Sequence, residues 1–390
     1  MPWGLVQYAL VAAAVPMLGM AAAGGAPPLP DSYLLRVERA LALGRADLSQ
    51  MQQPAEQAAA CLAAGGALWI GGNPGLVSEL TGRAGGFMLA KALGEAPVQA
   101  GDVVIFFAPA QEKLPAAVRQ SGALVVLISG KHQPGASHWL PDHAAACGLS
   151  PTLAGAVPGW LFTGELVAAL TRLGKMPVLF ESIGLCGGIP RIRRYQEQGI
   201  FWHEQHQVPP LAAGALGGRY AEVVSAMVRR VEAQERKQLD QAGAWAAQAH
   251  REEKRLIMYS MGHLFPSEVE KTDIGKLFTS AVWNTGFSYY SPPDHQYQRG
   301  DVLIHIGYQH PPTPMLDRAA QAGARVVYVD VLADRDYVGN PEVIWIDPMW
   351  PWSDACVPVP GYDIPALASS GVVNGAIAWE IYRCARRAAP

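Results

Sequence analysis

The chain has 390 residues, half of them hydrophobic and 16% charged, with a formal net charge of -3. A composition this apolar argues against disorder and supplies core for two domains of ordinary size. A charge this close to neutral leaves no electrostatic footprint for nucleic acid, and the longest basic cluster, Arg191-Ile192-Arg193-Arg194, reads as a solvated loop.

No charged residue precedes Asp31. The apolar run around Leu10 to Val15, the small residues Ala21-Ala22-Ala23 and the helix-breaking Pro27-Pro28 have the pattern of a secretory signal over residues 1–26, although its usual basic start is missing. An uncleaved membrane anchor is the rival reading, because the stretch is long enough to span a bilayer. The protein is therefore expected to be exported or periplasmic if the segment is a signal, and cytoplasmic otherwise.

Downstream, one pattern occurs twice. In the first pass Ala55 to Leu62 reads as helix, Ala67-Leu68-Trp69-Ile70 as a buried strand and Gly71 to Gly75 as a tight turn. A helix over Val77 to Leu93, a strand Val103 to Phe107 opened by Gly101-Asp102, a helix over Gln111 to Gln120 and a strand Ala123 to Ile128 follow. In the second pass Ala242 to Glu253 is helix, Arg255 to Tyr259 strand, Pro266 to Val282 helix, Val302 to Ile306 strand opened by Gly300-Asp301, Thr313 to Gln321 helix and Ala324 to Val329 strand. Between them lie an irregular stretch, about Glu181 to Gly218, and a helix over Tyr220 to Gln238 whose apolar face is Val224, Met227, Val228 and Val231.

Continuous apolar strands alternating with helices specify an α/β fold with parallel sheets covered on both faces, in which ligands bind beyond the carboxyl ends of the strands. The expected layout is a first unit over 50–185, a linker and connecting helix over 186–238 and a second unit over 239–390. The five cysteines are scattered without a CxxC, and no His, Cys and carboxylate spacing matches a metal site, so neither a metal nor a cofactor is expected.

Glu79-Leu80-Thr81-Gly82-Arg83-Ala84-Gly85-Gly86 resembles the segment after the first strand of sugar isomerase (SIS) domains, and the repeated Gly-Asp-Val strands and Val372 to Ile377 in the last helix are also SIS-like. The resemblance covers about residues 50–150 and 240–385. It implies two flavodoxin-like, three-layer αβα units, a carbohydrate-derivative ligand, and tandem or dimeric units, which leaves a homo-oligomer open. It also implies a phosphate cradle of helix N-terminus and loop hydroxyls. Here the chain departs from it: Ala108-Pro109-Ala110-Gln111 has no hydroxyl, and Gly307 to Thr313 has a single threonine.

Two functions follow. One is a carbohydrate-derivative binding protein with an eroded phosphate site. The other is an aldose–ketose isomerase. The resemblance gives Glu79 the proton-transfer role; in the second unit Glu268 with His263 supplies the types that proton relay needs. The expected ligand-binding residues are Asn73, Ser78, Ser260, His263, Ser267, His310 and Thr313, weighted towards the second unit because its loops carry more donors and acceptors. The partner is a small sugar derivative, with no nucleic acid and no membrane beyond an N-terminal anchor. Trp350-Pro351-Trp352 reads as loop packing, with sugar stacking as the alternative.

Overall fold

The structure, a computed structural model, describes residues 31–108, 112–204, 208–261, 280–284, 296–307, 313–331 and 342–388. Two helices come first, α1 (Tyr33–Ala46) and α2 (Leu48–Ala63). The first sheet and its helices follow: β1 (Leu68–Gly72), α3 (Pro74–Thr81), β2 (Ala90–Ala92), β3 (Val103–Phe107), α4 (Ala116–Gln120), β4 (Leu124–Ser129), β5 (His138–Pro141), α5 (Ala144–Cys147) and α6 (Pro151–Arg172). The middle of the chain holds α7 (Gly188–Arg194), α8 (Ala215–Gln234) and α9 (Arg236–Arg251). The last part contains β6 (Leu256–Met261), β7 (Ser280–Asn284), β8 (Val302–Ile306), α10 (Thr313–Gln321), β9 (Arg325–Val329), β10 (Val343–Ile346), the short antiparallel pair β11 (Ala355–Val357) and β12 (Ala366–Ala368), and α11 (Ser370–Ala388).

The first sheet runs β2-β1-β3-β4-β5 and the second β10-β9-β8-β6-β7; every pairing in both is parallel. Counted from each sheet's own first strand, both orders are 2-1-3-4-5, the flavodoxin-like order, with its reversal between first and third strands. The sequence dictates this burial. All five residues of β3 are buried, and alternate side chains go to opposite faces: Val103, Ile105 and Phe107 pack with α2 and α6, whereas Val104 and Phe106 pack under Val118 of α4. The second sheet repeats the arrangement. Val302, Ile304 and Ile306 join the main core, and Leu303 faces Met315, Leu316 and Ala319 of α10.

Helix α6 is long and apolar enough to cross a membrane, but its apolar window is wholly buried inside the protein. It packs against α1, α2, α3, α8 and α11 and so acts as the central post of the fold. The expected apolar face of α8 is buried as read, although the helix breaks at Glu235 and restarts as α9.

Some elements differ from the sequence reading. The expected helix over 77–93 is two elements. It stops at Thr81, because Gly82 to Gly86 turns the chain, and Ala90-Lys91-Ala92 pairs with β1 as an edge strand. Intrinsic preference would make that tripeptide helical; the sheet edge overrides it. The helix over 111–120 is confined to Ala116–Gln120, where Pro115 sets its start. The segment 280–284 is a strand rather than the end of a helix. Trp350 packs as a loop side chain, 2% exposed, with its indole donating to Asn374 Oδ1 at 3.0 Å.

Candidate functional site

In the first sheet the strand-order reversal lies between β1 and β3, so the loop after β1 should face a ligand. Its groups are spent internally. Asn73 caps α3, its side-chain oxygen accepting from Gly75 N at 2.9 Å and Leu76 N at 3.3 Å. These are the free N–H groups that would otherwise hold an anion. Its amide nitrogen donates to Thr152 Oγ1 at 3.1 Å, and the residue is 5% exposed. Ser78, half-buried on α3, is also engaged within the fold.

Glu79 lies in the last turn of α3, not at the helix start, and is 0% exposed. Trp160 Nε1 of α6 donates to its Oε1 at 3.2 Å, and Arg83 Nε stands 3.6 Å from its Oε2. A Cβ on Gly371 would collide with the carboxylate, so the first turn of α11 seals it from the far side. Arg83 is the shared cation. It pairs with Asp354 at 2.9 Å and donates to Ser370 Oγ. Asp354 Oδ1 also accepts from the backbone of Ser369 at 3.3 Å and Ser370 at 2.9 Å. One buried guanidinium thus faces two carboxyl groups, and Asp354 holds the better share of donors. Burial, with the Asp354 charge adding to it and Arg83 opposing it, raises the Glu79 pKa from 4.5 to about 7. That pKa suits a general acid or base, but the group has no open face. The resemblance picked out Glu79; Arg83 stood in the same segment without a role, and Trp160, Asp354, Ser370 and Gly371 were missed, since no local motif marks them.

The reversal in the second sheet lies between β6 and β8. There the register aligns Tyr259, His305 and Tyr328 in one row across the sheet, on the face covered by α10. His305 stacks on Tyr259 with ring centroids 4.9 Å apart and lies 5.2 Å from Tyr328. Asp330, just past β9 and fully buried, accepts from the Tyr328 hydroxyl at 2.8 Å and from Val331 N at 2.7 Å. His305 is 0% exposed, and neither ring nitrogen has a hydrogen-bond partner among the described residues. Desolvation lowers its pKa from 6.5 to about 3, so the ring is neutral. Thr313 opens α10 and is half-buried. Ser260 is the penultimate residue of β6, paired with Ile306. His263, Ser267, Glu268 and His310 lie outside the described residues. No group of three or more metal-binding side chains occurs among the described residues.

No family model matches the sequence, and neither does any curated protein. Solved structures do align over most of the chain. The C-terminal domain of glucosamine-fructose-6-phosphate aminotransferase from Francisella tularensis aligns over 91% of this chain and 96% of its own, with 9% identity and a TM-score of 0.49. A protein provisionally named a sugar binding protein from Salmonella typhimurium LT2 aligns over 90% and 98%, with 12% identity and a TM-score of 0.48. A protein provisionally named a phosphosugar isomerase from Silicibacter pomeroyi DSS-3 aligns over 90% and 95%, with 13% identity and a TM-score of 0.44. Each of the two sheets has the flavodoxin-like strand order, which is the fold that the segments resembling SIS domains imply.

Proposed function

We propose that the protein binds a carbohydrate derivative through the second of two units, residues 50–185 and 239–390, and that it is not an isomerase acting through Glu79. One observation supports this above the others: Glu79 is enclosed by Trp160, Arg83 and the Gly371 backbone. A general base must come within hydrogen-bond reach of the proton it removes. Glu79 could do so only if α3 parted from α11, against the Arg83 ion pair. The same cluster instead ties the first sheet's leading helix to the C-terminal helix.

The first unit's loop is closed by its own Asn73 cap. In the second unit Ser260 near the end of β6 and Thr313 at the start of α10 lie on the side where parallel sheets bind ligands, and the sequence candidates His263, Ser267 and His310 fall outside the described residues. Export would favour an unphosphorylated ligand, because phosphosugars are mainly cytoplasmic metabolites.

Two assays test the reading. A thermal-shift screen against sugars, amino sugars and their phosphates should find a stabilising compound; at one hundred times its Kd a ligand adds about 2.7 kcal/mol. Proton NMR in heavy water should show no exchange at C2 of that compound. Exchange that disappears in Glu79→Gln would reinstate the isomerase.

A further inference from the structure

The amino ends of the second sheet's strands, opposite the edge that carries Ser260 and Thr313, enclose an open cleft of about 390 Å³. Small-molecule sites typically measure about 300–1,000 Å³. Gln248 and Glu252 at the end of α9, Arg299 ahead of β8, Gln321 at the end of α10, Arg325 opening β9 and Glu342 ahead of β10 border it. Several of these side chains are held in place already. Arg325 donates to Gln248 Oε1 at 2.8 Å, and its guanidinium lies 5.4 Å from the centre of the Trp245 ring. Glu342 stands 3.7 Å from Arg325 Nε, and Gln248 Nε2 donates to Glu252 Oε1 at 2.8 Å. Arg299 is exposed and has no ion-pair or hydrogen-bond partner among the described residues. Its stem rests on Gly323, where an added Cβ would come within 3.2 Å of Arg299 Cγ.

The first sheet shows what this end of the fold needs. Strand register matches Leu124 to Arg325 and Ala136 to Glu342. The Gly-Asp that opens β3 and β8 matches Ala100 to Arg299. The last helical hydrogen bonds, Ala64 N to Ala60 O and Glu252 N to Gln248 O, match Ala60 and Ala64 to Gln248 and Glu252. Gln321 alone keeps its type, as Gln120. Ala60, Ala64 and Ala100 are exposed, so exposure at this end does not itself call for charge. Two guanidiniums and two carboxylates have been gathered around a cleft that the fold builds without them.

We infer that this cleft is a binding site for a small zwitterion of the neutral α-amino acid class. It is separate from the carbohydrate site and does not depend on that reading. A ligand with only negative charge would be repelled by Glu252 and Glu342, and one with only positive charge by Arg299 and Arg325. A zwitterion satisfies both signs. Its carboxylate can accept from the unpaired fork of Arg299, and its ammonium can donate to Glu252 or Glu342. Gln321 and Ala322 border the cleft where α10 ends. The last carbonyls of a helix lack partners within it and favour a cation, so they add to the attraction for the ammonium.

The test is calorimetry on the full chain with the common amino acids whose side chains are uncharged. Each is run beside its N-acetyl form, which keeps only the carboxylate, and its α-amide, which keeps only the ammonium. At least one amino acid should bind, and both of its capped forms should bind at least about tenfold more weakly. Arg299→Ala and Arg325→Leu, the second being the first sheet's own residue at that place, should each weaken binding about tenfold or more. Arg299 is exposed and unpartnered, so Arg299→Ala should melt with the parent and keeps the test decisive even if Arg325→Leu fails to fold. Binding that Arg299→Ala leaves at the parent's strength overturns the site, as does a lack of binding by every amino acid. A capped form that binds as well as its amino acid overturns the zwitterion as the ligand.

Discussion

Replacing Glu79 by glutamine removes one titrating proton from a fully buried cluster and changes little else in shape. The folded pKa of about 7 lies above the ordinary 4.5, so the folded state holds its proton more tightly than the unfolded chain does. The stability contributed by this group is complete below pH 4.5 and is lost as pH rises through 7. At roughly 1.4 kcal/mol per pH unit the total is about 3 kcal/mol. The charge count agrees: Arg83 pairs with Asp354 at 2.9 Å, which leaves a second ionised carboxylate uncompensated. Urea denaturation of parent and Glu79→Gln, from about pH 4 to about pH 8, isolates the effect, because every other titrating group cancels in the difference. Relative to the parent, the variant should gain about 3 kcal/mol across that range. A difference that is flat with pH, or a variant that loses ground as pH rises, would show that Glu79 is ionised in the fold and that its attraction to Arg83 outweighs burial.

Other consequences follow from the same contacts. Arg83→Met strips both carboxyl groups of their cation and should cost about 3–5 kcal/mol in chemical denaturation. Asn73→Ala removes the α3 cap and should cost about 1 kcal/mol without altering sugar affinity. His305 titrates in the opposite sense to Glu79: its pKa of about 3 lies below the ordinary 6.5. Its contribution is therefore complete above pH 6.5 and lost as pH falls towards 3, about 5 kcal/mol in all. Acid unfolding followed by circular dichroism should be shallower in His305→Phe. Intact mass of protein from its native source should lack roughly the first 25 residues, in line with the signal-like start; retention of Met1 or Pro2 would exclude cleavage.

The parallel sheets were legible because their strands are buried on both faces. Val103 to Phe107 and Val302 to Ile306 are uninterrupted apolar runs, and each follows a Gly-Asp that ends the preceding turn. Ala90-Lys91-Ala92 was not legible as a strand, because only its place beside β1 makes it one. Glu79 could be picked out locally, but its enclosure could not. Arg83 and Ser370 meet across 287 residues, and Gly371 matters only through a backbone position that no motif records. Likewise a lone histidine in Val-Leu-Ile-His-Ile is visible, whereas its enclosure depends on Tyr259 and Tyr328 arriving from two other strands.

Titration calorimetry with the best sugar from the screen, run on the parent, Glu79→Gln and His263→Ala, addresses the location of the site directly. The account predicts that Glu79→Gln binds like the parent and that His263→Ala binds about tenfold more weakly, the loss of roughly one hydrogen bond. Parent-like binding by His263→Ala together with loss of binding in Glu79→Gln would put the site on the first unit and contradict it.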